Sequence, residues 1–113
     1  MKRPTHLAHG PHLTPITWTD KRITKKNLLG EADRVRGLIR ITTDQSSTQE
    51  RSTLIHEYLH MAFYDSPAAH FAGWNDDVEE AIICTLESKI LELFQRSENE
   101  PARKYLTKRL ALP

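Results

Sequence analysis

DQSSTQERSTLIHEYLHMAFYD, residues 44–65, is the stretch at which the apolar period of this chain lengthens from that of a strand to that of a helix. Either Ser46 with Gln49 or Ser47 with Glu50 matches a capping box, in which a hydroxyl and a side chain three residues on satisfy each other's free N–H groups. Leu54, Ile55, Tyr58, Leu59 and Ala62 then share one face, and Asp65, Ser66 and Pro67 end the helix. Within it lies HEYLH, residues 56–60, whose two histidines sit one turn apart on the same face.

Upstream of this helix the texture is that of strands. ITWTD, from Ile16, and RVRGLIRITTD, ending at Asp44, alternate apolar and polar residues, and Val35, Leu38, Ile39 and Ile41 supply the aliphatic content. Gly30 and Gly37 fall where turns or a bulge are expected, so residues 16–43 read as a small antiparallel sheet. Residues 1–15 hold prolines, a glycine and three histidines without apolar periodicity, which predicts an irregular N-terminal arm. His6, His9 and His12 recur at intervals of three, a spacing that would allow an accessory metal site, but the expectation is a polar tail because Gly10 and Pro11 break any helix there.

Downstream, a loop through His70 and Gly73 leads to a second helix from Asn75 or Asp76 to about Gln95, and Pro101 opens a third carrying Tyr105, Leu106 and Leu110, with Arg103, Lys104, Lys108 and Arg109 as its solvated side. Strands followed by helices give an α+β fold, with the sheet packed on the first two helices. A length of 113 residues suits one domain, here 16–113 behind the arm.

Composition removes several functions. A net charge of +1 and the absence of a zinc-finger or RNA-recognition signature argue against nucleic acid as a partner. No stretch approaches the roughly 18 apolar residues of a membrane span, and MKRPTHLAHGPHLTP lacks the apolar core of a signal peptide. Cys84 is the only cysteine, so no disulfide can form within the chain, which fits a cytoplasmic setting. Trp18 and Trp74 are expected to fill the core.

The chemistry is carried by HEYLH. Imidazoles four residues apart on a helix can reach one Zn²⁺ at about 2.1 Å, and Glu57, offset between them, lies beside the open coordination position. A zinc ion there would acidify water and polarise a carbonyl, while Glu57 would take up the proton as general base. The third ligand is sought on the second helix, where Ile82, Ile83, Leu86, Ile90, Leu93 and Phe94 form one stripe with Glu79 at its centre and Glu80 at its margin. A carboxylate aimed into an apolar face is costly unless neutralised, paired or bound to a metal, and a cation shared with His56 and His60 would answer that cost. His70, in the connecting loop, is the rival ligand, or a helper facing the substrate oxyanion.

These segments resemble the small zincins related to the ImmA/IrrE family, including compact phage-encoded members. The resemblance covers roughly residues 28–95 and rests on LLGEADRVRGLIRI before the site, STLIHEYLH as the active-site helix and DDVEEAI opening the next helix. It implies a minimal gluzincin-like domain binding one Zn²⁺ through His56, His60 and Glu79, with Glu57 as general base in peptide-bond hydrolysis and a protein or peptide as substrate. For a phage-encoded member the setting would be the host cytoplasm. The N-terminal helix and DNA-binding module of larger members are not evident. The alternative is a zinc-stabilised regulatory or protein-binding module without proteolysis, since a structural metal can supply much of a small domain's stability. Oligomeric state is left open.

Overall fold

The computed structural model describes residues 2–20 and 28–110, and side chains as far as residue 108. The chain runs β1 (His6–His9), β2 (His12–Thr19), β3 (Gly30–Asp33), β4 (Leu38–Thr42), α1 (Ser47–Tyr64), a 3-10 turn (Pro67–His70), α2 (Asp76–Gln95), a second 3-10 turn (Ser97–Asn99) and α3 (Glu100–Leu110). The α+β class expected from the sequence is the one observed, but among the described residues only α1 packs on the sheet, while α2 packs on α1.

The four strands form one sheet in the order β1-β2-β4-β3. It is mixed rather than antiparallel. β1 with β2 and β3 with β4 are antiparallel neighbours, whereas β2 and β4 run parallel, with Ile16 beside Ile39 and Trp18 beside Ile41. Alternation marks which face of a strand is apolar, and that face is the same for either direction of pairing, so the sequence gives no sign of the parallel contact.

The N-terminal arm is also corrected. Residues 6–9 and 12–19 are strands, joined by a tight turn in which Gly10 takes φ 55°, a left-handed value that suits glycine. Pro15 disguises β2, because a proline cannot donate to a ladder. Thr14 and Ile16, two residues apart, are nevertheless the buried positions of this strand.

Ile39 and Ile41, both fully buried, share the face of β4 that meets α1, and with Ile16 and Met61 they make the core. Leu7, Trp18, Ala32 and Leu54 pack around it, so Trp18 does serve as core, with its indole N–H donating to Pro4 O at 2.7 Å. The start of α1 is the first of the two capping boxes: Ser46 accepts from the Gln49 N–H, and the Gln49 side chain accepts from the Ser46 N–H. On α2 only Ile83 of the apolar stripe is fully covered, while Ile82, Leu86 and Phe94 are exposed. Among the described residues no helix is long and apolar enough to cross a membrane.

Candidate metal centre

The middle of one helix, the start of another and one sheet edge build the site. α1 presents His56 and His60 on the side facing α2, and their rings stand 4.9 Å apart, edge to face. α2 begins at Asn75, whose side chain accepts from the Val78 N–H, and this cap sets Glu79 and Glu80 in the first turns opposite those imidazoles. β3, the terminal strand of the sheet, closes the third side. The cleft between them measures about 460 Å³ and is lined by Gly30, Glu31 and Ala32 of β3 together with His56, Glu57, His60, Glu79 and Glu80.

The two histidine Nε2 atoms converge on one carboxylate. His56 Nε2 lies 3.0 Å from Glu80 Oε1 and His60 Nε2 lies 2.9 Å from Glu80 Oε2. Among the described residues, His56, His60 and Glu80 form the one group of three whose ligand atoms all fall within 4.8 Å of each other. Two imidazoles and a carboxylate in such a triangle are the donor types of a three-ligand zinc site.

Glu79, the residue expected as third ligand, is placed elsewhere. It is buried, as the apolar stripe suggests, but behind His60: its Oε2 lies 2.6 Å from His60 Nδ1, its Oε1 accepts from the Trp74 indole N–H at 3.1 Å, and the Arg34 guanidinium also bonds it. Burial would raise the Glu79 carboxyl, yet the donors on His60, Trp74 and Arg34 together hold it below the ordinary carboxylate range. The buried charge thus has protein partners, and the premise that burial demands a metal does not hold for it. Glu80, half exposed at the margin of the stripe, is the one that reaches the paired nitrogens.

His60 therefore has a carboxylate at each ring nitrogen. A neutral imidazole owns a single N–H, so one of these contacts calls for a further proton or a metal cation. Of the two contacts, Glu79 on Nδ1 matches the outer carboxylate that commonly fixes the ring of a metal-binding histidine. His56 has no such hydrogen bond: the nearest carboxylate oxygen to its Nδ1 is Glu87 Oε1 at 3.7 Å, and that oxygen accepts from the Ser52 hydroxyl at 2.8 Å.

Glu57 lies outside this donor triangle, on the cleft's β3 side, and is 7 % exposed. Burial pushes its carboxyl up to about 7. The nearby Glu80, Glu31 and Glu87 charges add to this and a charged His56 opposes it. Gly30 makes the close approach possible: a Cβ there would meet Thr53 Cγ2 at 2.4 Å and stand 3.3 Å from Glu57 Oε2.

His70 is exposed at the end of the 3-10 turn and does not line the cleft. Trp74, expected as core, is half-buried against Phe63 and committed to Glu79. Arg34 was not foreseen. It belongs to the turn between β3 and β4, bonds both Glu79 and the His60 carbonyl, and lies over the Tyr64 ring at 5.0 Å. A contact across 45 residues leaves no local pattern by which to find it.

Compared with family models, curated proteins and solved structures, the chain matches none.

Proposed function

We propose that the protein is a zinc-dependent peptidase of minimal zincin-like build, resembling the ImmA/IrrE-related enzymes. His56 and His60 would hold the ion through Nε2, and Glu80, in place of Glu79, would be the third ligand. Bound there, zinc would polarise a scissile carbonyl and acidify water in the cleft. Glu57 would accept that proton and pass it to the leaving amine, a task suited to a carboxyl whose burial moves it towards neutrality. Glu79, steadied by Arg34 and Trp74, would keep His60 turned so that Nε2 faces the cleft.

The observation that carries this reading is the position of Glu57. It shares the cleft with the three donors while lying outside the set that could hold an ion, and a closed structural site has no use for such a carboxylate. The substrate side of the cleft is consistent with an extended peptide, because three successive residues of the sheet's terminal strand border it and a terminal strand can take one more chain by backbone pairing.

The test is digestion of a mixed peptide library by zinc-loaded protein and by its Glu57→Gln variant. The parent should cleave, a chelator should abolish cleavage, and the variant should keep its zinc while turnover falls by about 10² to 10⁴. A parent that holds zinc tightly but cuts neither peptides nor unfolded proteins would favour the regulatory or protein-binding module instead.

A further inference from the structure

The histidines spaced in threes acquire a place in the fold that the proposed peptidase does not use. His9 and His12 are direct cross-strand partners at the closed end of the β1–β2 hairpin, so both rings project from the same face. Facing them is Asp65, the residue that ends α1. His9 Nδ1 lies 3.1 Å, and His12 Nε2 3.6 Å, from the same Asp65 Oδ2. Donors that share an ion at about 2.0–2.2 Å in a tetrahedron stand a little over 3 Å apart, and these two spacings fall on either side of that value. His6 is not part of the group: three residues before His9 on the same strand, it lies on the opposite, exposed face of the sheet.

We propose that His9, His12 and Asp65 form a second, weaker site for a divalent first-row cation such as zinc, one that fastens the N-terminal hairpin to the end of α1. His9 is prepared for this role. It is buried, and its Nε2 is hydrogen-bonded to the Thr14 hydroxyl, which can act as acceptor and so leave Nδ1 as the free lone pair; a metal-binding histidine is commonly fixed by such a bond on its other nitrogen. His12 supplies the adjustment. Its donor is further from that of His9 than the donors of the first centre are from one another, but its side chain is 56 % exposed at the hairpin end and its ring lies 5.4 Å from that of His9, so rotation about its side-chain bonds can close the triangle. A cavity of about 220 Å³, bordered by these residues with Met61 and Tyr64, leaves room for the ion and for water to complete its coordination. Imidazole and carboxylate donors together suit zinc or copper and discriminate against magnesium.

Zinc titration against a chromophoric chelator tests this on the full chain, using the parent, His12→Gln, Asp65→Asn and the His56→Gln/His60→Gln double variant. The parent should show two classes of site. His12→Gln and Asp65→Asn should each weaken the second class by at least about tenfold, since loss of even an outer-shell partner commonly costs 10- to 100-fold. Both should leave the tighter class unchanged. The double variant should keep the weaker class alone, and its Tm should rise with zinc and not with magnesium. Should that variant fail to fold, Co²⁺ added to the parent decides the point, because the His9 and His12 ring resonances should broaden at a second equivalent. Zinc binding in the parent with no class that depends on His12 and Asp65, or unbroadened His9 and His12 rings, would overturn the proposal. None of these results depends on whether the protein cleaves peptides.

Discussion

Alanine at position 30 tests how closely β3 is packed on α1. The new Cβ would stand 2.4 Å from Thr53 Cγ2, more than 1 Å inside an ordinary carbon–carbon contact of about 3.5–4.0 Å. Thr53 cannot simply turn away, because its hydroxyl donates to Gln45 Oε1 at 3.0 Å and Gln45 in turn bonds the Thr42 carbonyl at 2.7 Å. Overpacking of this kind costs about 1–3 kcal/mol, partly offset by the roughly 0.5–1 kcal/mol that alanine gains over glycine inside a strand. The net expectation is a loss of about 1–2 kcal/mol, or roughly 4–8 °C in Tm for a chain of this size. Urea and thermal unfolding followed by circular dichroism measure it. Thr53→Ser removes the clashing methyl and keeps the hydroxyl, so Gly30→Ala/Thr53→Ser should recover most of the loss, with a coupling of about 1 kcal/mol between the two sites. If Gly30→Ala alone is as stable as the parent, or if Thr53→Ser recovers nothing, the close contact is not what requires glycine.

Other expectations follow from single contacts. Trp74→Phe removes the donor to Glu79 Oε1, one step behind the carboxylate that bonds His60, and should weaken zinc binding by less than the roughly tenfold that loss of an outer-shell partner itself costs, with little change in helix content by circular dichroism. The Asp33 carboxyl is held below its usual range chiefly by the Arg36 backbone N–H, with the Arg40 guanidinium adding to the effect. A folded-state value below the unfolded one means that the unfolded chain binds more protons, so this contribution is present above about pH 4 and is lost on further acidification. Asp33→Asn should therefore flatten the acid limb of the Tm-against-pH curve, and an unchanged limb would count against the pairing. Arg3→Gln removes the two parallel hydrogen bonds that the Arg3 guanidinium donates to the Glu50 carboxylate. Because an exposed ion pair is weakened by water and screened by salt, Tm should fall by a few degrees at most, and the difference from the parent should shrink as salt is raised.

How far the sequence could be read differs from one element to another. α1 was legible to within a residue at both ends, because a capping box and an Asp-Ser-Pro stop are local signals and the structure uses them. β4 was legible from its isoleucines. β1 and the first part of β2 were not, since proline and histidine lower the local strand signal while the hydrogen bonds that hold them come from the partner strand. Parallel pairing of β2 with β4 depends on where the chain between them passes, which alternation does not encode. At the site, HEYLH pointed to His56, Glu57 and His60, which the structure brings into one cleft, but the places of Glu79 and Glu80 relative to them needed the packing of α2 against α1. Adjacent helical residues differ by 100° in direction, and the stripe is broad enough to include one and border the other. The burial of Glu79 was read correctly. Its partners, Arg34 and Trp74, lie outside any pattern the helix itself contains.

The choice between those two glutamates is the most direct test of the account. Zinc affinity at the tighter site should be measured by chelator competition for the parent, Glu79→Gln and Glu80→Gln, with the fold of each checked by circular dichroism. If Glu80 is the ligand and Glu79 the residue that orients His60, Glu79→Gln should retain zinc with an affinity about 10- to 100-fold weaker, and Glu80→Gln should lose considerably more. Undiminished affinity in Glu80→Gln, together with loss of zinc in Glu79→Gln, would contradict the assignment and make Glu79 the third ligand.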